Sequence, residues 1–270
     1  MIAVFVAAAG AAGAPAATAQ AVWKPDLKAA RDYARHRHGD IEFAVRTERH
    51  YWGYRDTHVL PSASVIKAML LVAYLDLSDV RDRKLNDDDH KKLDPMIQRS
   101  DDNAAWKVFD RVGFGGLRKL AKRVGMTHFK TGEGAKREWR CSNSHWGCSS
   151  IDAQDQTRSF LHLDGFIVGN EAASHRSVAL HLLSSIVASQ RWGIWKERPS
   201  GWNLYAKGGW GRGTGWVDHQ ASLLLRDSDG ERVSVAILTH NDGSHSYGKD
   251  TLRGIAHRLL KGLDKNSNVD

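Results

Sequence analysis

Apolar and polar positions alternate with a period of two in "IEFAVR" (41–46) and "HYWGYR" (50–55), which predicts two strands joined by a turn. Ahead of them, "DLKAARDYARHRHG" (26–39) has its apolar residues at helical spacing and stops at a glycine. Residues 64–77 predict an apolar helix, with Ser62 placed to cap it. "LNDDDHKKLDPMIQRS" (85–100) puts aspartates near a helix start, where the helix dipole favours negative charge. Residues 102–113 and 116–126 predict two short helices, each ended by glycine. Periodicity then disappears from 131 to 150, a Gly-, Ser- and Trp-rich stretch that predicts a long loop. Loops of that length inside compact domains are usually functional. Helical spacing returns at 151–163 and 176–189. The last third predicts strands at 203–210, 218–227 and 232–240, with turns at "GRGTG" and "DSDGE", and an amphipathic helix at 250–263.

This order, helix and strands, a helical middle, then strands and a helix, predicts an α/β protein of the α+β kind. Both chain ends form one antiparallel sheet with flanking helices, and an all-helical lobe of about 64–180 is inserted. The start of the Ser64 helix falls at the lobe boundary, a usual place for a cleft. A length of 270 residues fits one large domain or two interlocked lobes.

Composition adds three points. Residues 1–21 carry no charge, are mostly small and apolar, and end in Ala19-Gln20-Ala21, an A-x-A pattern typical of leader cleavage. An export signal is expected there, with a domain spanning 22–270; an Ala-rich tail is the bland alternative. The two cysteines, Cys141 and Cys148 in "CSNSHWGC", are spaced for a disulfide-closed loop in an oxidising compartment, against the alternative of two free thiols. No metal is expected, since His145 lacks a partner pair at ligand spacing. The net charge of +8 favours anionic polymers, such as those of a cell wall, or membrane surfaces, against the commoner case of a solvated basic surface with no specific partner. No nucleic-acid-binding motif accompanies it, and a monomer is expected.

Candidate chemistry begins at "PSASVIKAMLL", where Ser64 precedes Lys67 by one helical turn, so both side chains share a face. A buried lysine has a lowered pKa and can take the serine proton as a neutral amine. Taken alone, this motif is more often a polar helix start. "PMIQRSDDNAAW" adds Ser100 with Asp101, Asp102 and Asn103, which also suits a plain helix N-cap. "LYAKGGWGRGTGW" adds Lys207-Gly208-Gly209, where glycines let a substrate backbone approach a strand, or simply make a hairpin.

In order, S-x-x-K, S-D-x/N and K-x-G resemble the class A β-lactamases and their penicillin-binding relatives. The resemblance covers most of the chain after the leader and implies no cofactor. It implies Ser64 as acylated nucleophile, Lys67 as its proton acceptor, and Ser100 as proton shuttle to the leaving nitrogen. Lys207 supplies positive charge for a substrate carboxylate, and the Ser64 and Trp210 backbone N–H groups form an oxyanion hole. Asp102, Asn103, Gly208, Gly209 and Trp210 are expected to contact substrate.

Three departures qualify the resemblance. Asp102 stands where the family has Asn, with Asn103 one residue later; spacing favours the first and side-chain chemistry the second. Gly208 replaces the usual Thr or Ser. Glu138 is the candidate for the family's deacylating Glu, though its flanking sequence matches poorly; pairing with Arg137 or Arg140 is the alternative. The expected substrate is a small β-lactam or a wall peptide. A D,D-peptidase- or esterase-like relative is the alternative, and a non-catalytic wall-binding module of the same fold is a third reading.

Overall fold

The computed structural model describes residues 22–135, 137–139, 141, 145–213 and 215–269; the expected leader, 1–21, lies outside them. In chain order the elements are α1 (Leu27–Arg35), β1 (Asp40–Arg46), β2 (Tyr51–Tyr54), β3 (Leu60–Pro61), a 3-10 turn (Ala63–Ile66), α2 (Lys67–Leu75) and α3 (Asp87–Gln98). Then come α4 (Asp102–Val124), α5 (Gly132–Ala135), β4 (Ser150–Ile151), α6 (Ala153–Leu161), α7 (Ala172–Ser184), β5 (Trp202–Gly211), β6 (Val217–Arg226), β7 (Arg232–His240) and α8 (His245–Leu259).

The sheet is antiparallel throughout, in the order β2-β1-β7-β6-β5, so strands from both chain ends join in one sheet at the β1–β7 pair, as the sequence predicts. Alternation sorts the side chains. Ile41, Phe43 and Val45 of β1, with Val233, Val235 and Ile237 of β7, join the core formed with α1 and α8. On the opposite face Ala44, Ala236 and Ala221 sit side by side across β1, β7 and β6. This row of small side chains gives α6 room to lie close against the same three strands. The second core continues from there into α2, α3, α4 and α7, the helical lobe. None of the described helices is long and apolar enough to cross a membrane.

Several local expectations change. The helix predicted at 64–77 begins as the tighter 3-10 turn and becomes α-helical only at Lys67. Ser62 does not cap it; its hydroxyl lies within 3.3–3.4 Å of the Trp146 and Gly147 carbonyls instead. The helices predicted at 102–113 and 116–126 form one run, α4, bent at Gly113 (φ +60°) and closed by left-handed Gly125. The described parts of the 131–150 stretch carry regular structure that its composition does not suggest. It holds α5, a 3-10 turn (Trp146–Cys148) and β4, which pairs with β3 beside the Ser64 turn.

Candidate active site

The K-x-G segment lies on β5, the edge strand of the sheet, and the Ser64 turn packs against it. A Cβ added to Gly209 would fall 2.8 Å from the Ser64 nitrogen and 2.7 Å from the Val65 nitrogen. Only glycine lets the strand come so near the candidate nucleophile. Backbone strain collects at the same place. Ala63 (φ +43°) and Ser100 (φ +58°) are two of the four described non-glycine residues in the left-handed region. Each costs on the order of 1 kcal/mol, and each directly adjoins or forms part of the site.

The left-handed turn at Ser100 aims both of its oxygens inward. The buried Lys67 ammonium donates to the Ser100 carbonyl (2.6 Å) and approaches its hydroxyl (3.3 Å). The buried Lys207 ammonium donates to that hydroxyl (2.9 Å) and to the Gly208 carbonyl (2.7 Å). Ser100 Oγ therefore bridges two amines from distant segments. Burial lowers the Lys67 pKa below lysine's usual value, although nearby Asp102 opposes the shift. Burial, with repulsion from Lys67, pushes Lys207 far lower. Both shifts favour the neutral amine relative to an exposed lysine.

Asp101 caps α4 by accepting from the Ala104 N–H at 2.7 Å. Asp102, the first residue of that helix, turns its carboxylate to Lys67, with Oδ1 2.6 Å from Nζ. Asn103 is exposed and does not line the cleft. Position along the helix start thus decides between the two residues in favour of Asp102.

A cleft of about 250 Å³ opens at this junction, its wall including Ser64, Asp102, His145, Trp146, Cys148 and Trp210. Lys67, Ser100 and Lys207 lie behind that wall. Gly208 and Trp210 share a face of β5, where a side chain at 208 would meet the Trp192 ring at 3.2 Å. Trp192 also packs edge-on to Trp210, so tryptophan fills the space that a Thr or Ser at 208 would need.

Glu138 is not brought to the cleft. It is exposed, its carboxylate 3.2 Å from Lys130 Nζ and 3.5 Å from the Ser150 hydroxyl. Arg140 lies outside the described residues, and the partner found is the lysine of "FKTGEG". The Trp146 ring, with Lys67 Nζ 4.8 Å from its centre, takes up another side of that amine. Cys141 and Cys148 are joined, which pins this loop against the cleft. His145 points Nε2 at Cys148 Sγ (2.9 Å) and accepts from the Gly147 N–H through Nδ1. Burial holds its pKa down.

Two groupings bring potential metal ligands together, Cys141/His145/Cys148 and His128/Asp152/Asp155. The sulfurs of the first are bonded to each other. In the second, Asp155 is committed to Arg158 and to the Thr127 and His128 amides. Neither donor set fits a resident ion.

Sequence reasoning overlooked two supporting residues. Trp146 is one, hidden in a stretch without periodicity. The other is buried His219 on β6, which accepts from the Thr239 N–H and gives its Nε2 proton to the Pro61 carbonyl at 2.8 Å. It ties the sheet to the chain three residues before Ser64, and burial lowers its pKa to about 4, keeping it neutral. A histidine inside an alternating strand was the available signal.

The sheet with its inserted helical lobe has the architecture of class A β-lactamase-type serine hydrolases, and Lys67, Ser100 and Lys207 meet behind the wall that holds Ser64. A model of the beta-lactamase enzyme family matches residues 91–263, and the chain belongs to that family. The matched segment holds Ser100, Asp102 and Lys207, while Ser64 and Lys67 precede it. Among solved structures, a beta-lactamase from Sphaerobacter thermophilus is similar at 16% identity and TM-score 0.70, over 88% of this chain and 96% of that one. The chromosome-encoded beta-lactamase of Vibrio parahaemolyticus is similar at 14% identity and TM-score 0.69, over 87% and 98%. PBP-A is similar at 16% identity and TM-score 0.65, over 87% and 94%. At these identities the likeness establishes the fold. No curated protein matches the chain in sequence.

Proposed function

We propose that this chain is an exported serine hydrolase that opens a β-lactam amide through an ester on Ser64. The observation that carries the reading is the Ser100 hydroxyl held between two buried amines, 3.3 Å from Lys67 and 2.9 Å from Lys207, behind the cleft wall that includes Ser64. Ser64 Oγ bonds to the amide carbon as Lys67 takes its proton. The C–N bond then breaks, and the proton reaches the leaving nitrogen through Ser100. Backbone N–H groups of Ser64 and Trp210 receive the oxyanion. Lys207 contributes its field through Ser100, since its ammonium is buried and absent from the wall.

A second reading is a penicillin-binding relative whose acyl-enzyme persists, acting on wall peptide; the pairing of Glu138 with Lys130 favours it. Hydrolysis of a chromogenic cephalosporin and labelling by a fluorescent penicillin test both readings. Wild type is expected to label and turn over, Ser64→Ala to do neither, and Glu138→Gln to resemble wild type. Labelling without turnover supports the second reading. A folded wild-type protein that never labels overturns the acyl-serine reading itself.

A further inference from the structure

A hydrolase needs a base to activate water against the ester, and the expected Glu138 is engaged elsewhere. Among the described residues, Asp102 is the one acidic side chain in the cleft wall, and Ser64 lies in the same wall. Its side chain is 70% exposed, so solvent reaches the carboxylate. Oδ1 is held 2.6 Å from Lys67 Nζ, which fixes the carboxylate at the cleft wall. An asparagine at this position could bind a substrate amide but could not accept a proton.

Resting on the acyl-serine reading above, we propose that Asp102 is the general base that activates water for release of the Ser64 ester. The water oxygen bonds to the acyl carbon while one water proton passes to Asp102. The proton on Asp102 crosses the short contact to Lys67, whose ammonium gives it to the Ser64 oxygen as the carbon–oxygen bond breaks. Carboxylate and amine are both restored, and the product leaves as a carboxylic acid that ionises in solvent. Asp102 thereby does at the helix start what a glutamate from the 131–150 loop does not do here.

The roles separate in Asp102→Asn, the substitution that restores the family's usual residue. Asp102 opposes the lowering of the Lys67 pKa. Its loss therefore favours the neutral amine and leaves acylation near or within tenfold of wild type. Deacylation is expected to fall at least 100-fold, so a stable penicilloyl adduct accumulates by intact-protein mass spectrometry. Asp102→Ala, with alanine favourable in a helix, gives a second readout: added sodium formate restores part of the deacylation rate. Deacylation of Asp102→Asn within threefold of wild type overturns the proposal, as does an equal loss of both steps or the failure of formate to act. A wild type that labels but never turns over also overturns it while sparing the acyl-serine reading. A wild type that never labels removes that reading first, and the two failures are thus distinct.

Discussion

The approach of β5 to the nucleophile turn can be tested with a single methyl group. In Gly209→Ala the new carbon would stand 2.7 Å from the Val65 nitrogen, 2.8 Å from the Ser64 nitrogen and 3.2 Å from the Ser62 oxygen. Favourable contact begins near 3.5 Å, so strand and turn must separate by roughly 0.7 Å. All three neighbours are backbone atoms on a turn already strained at Ala63, and none can yield by rotating a side chain. Overpacking of this kind costs about 1–3 kcal/mol of stability. A displacement approaching 1 Å in a reacting geometry costs roughly 100-fold in rate. We expect Gly209→Ala to label with fluorescent penicillin some 30- to 100-fold more slowly than wild type, in stopped-flow measurements, and to melt at lower temperature. Gly115→Ala is the control: it lies on α4 with nothing within 4 Å of the added carbon, and should gain about 0.5–1 kcal/mol while labelling normally. Labelling of Gly209→Ala within threefold of wild type would refute the argument that glycine is required by this approach.

Other outcomes follow from buried charge and the loop closure. On the proposed role of Lys67 as proton acceptor, acylation should rise with pH through a midpoint below lysine's ordinary value, and Lys67→Ala should lose acylation by several orders of magnitude; near-normal labelling by that variant removes the role. Glu42, buried in β1, has its pKa raised to about 8, chiefly by burial. A group raised on folding stabilises fully below its unfolded value and loses that contribution as pH rises through the folded one. At about 1.4 kcal/mol per pH unit, Glu42→Gln should gain on wild type by up to about 4 kcal/mol between pH 4.5 and pH 9, measured by denaturant titration; an unchanged difference counts against the assignment. Reduction of the Cys141–Cys148 bridge, which closes a short loop, should cost about 2–3 kcal/mol and loosen the cleft wall that both cysteines line. Two alkylatable thiols in untreated protein would contradict the bridge.

Charge bears on substrate selection as well. Asp102 is the one described acidic residue of the wall, burial lowers the His145 pKa, and Lys207 lies behind it. Tryptophans and the disulfide complete much of the surface. An acyl group with an aromatic or apolar side chain suits that wall better than a densely anionic one.

The sequence alone determined the elements with strong periodicity and the chemistry written in short motifs. Strands at 41–46 and 232–240 and the S-x-x-K turn depend on residues near in the chain, whose alternation or one-turn spacing survives without tertiary context. Tertiary structure decided what depends on meetings between distant segments. Asp102 rather than Asn103 faces the cleft because α4 starts where left-handed Ser100 turns the chain toward Lys67. Glu138 stays outside because Lys130 and Ser150, brought together by an isolated β-bridge, hold it there. Gly208 and Trp146 gain their meaning from Trp192 and Lys67, neighbours no local pattern reveals. Burial, which moves the two lysines toward neutrality, is a property of the packed molecule: it depends on how much water the whole fold excludes, and no single stretch of sequence sets that quantity.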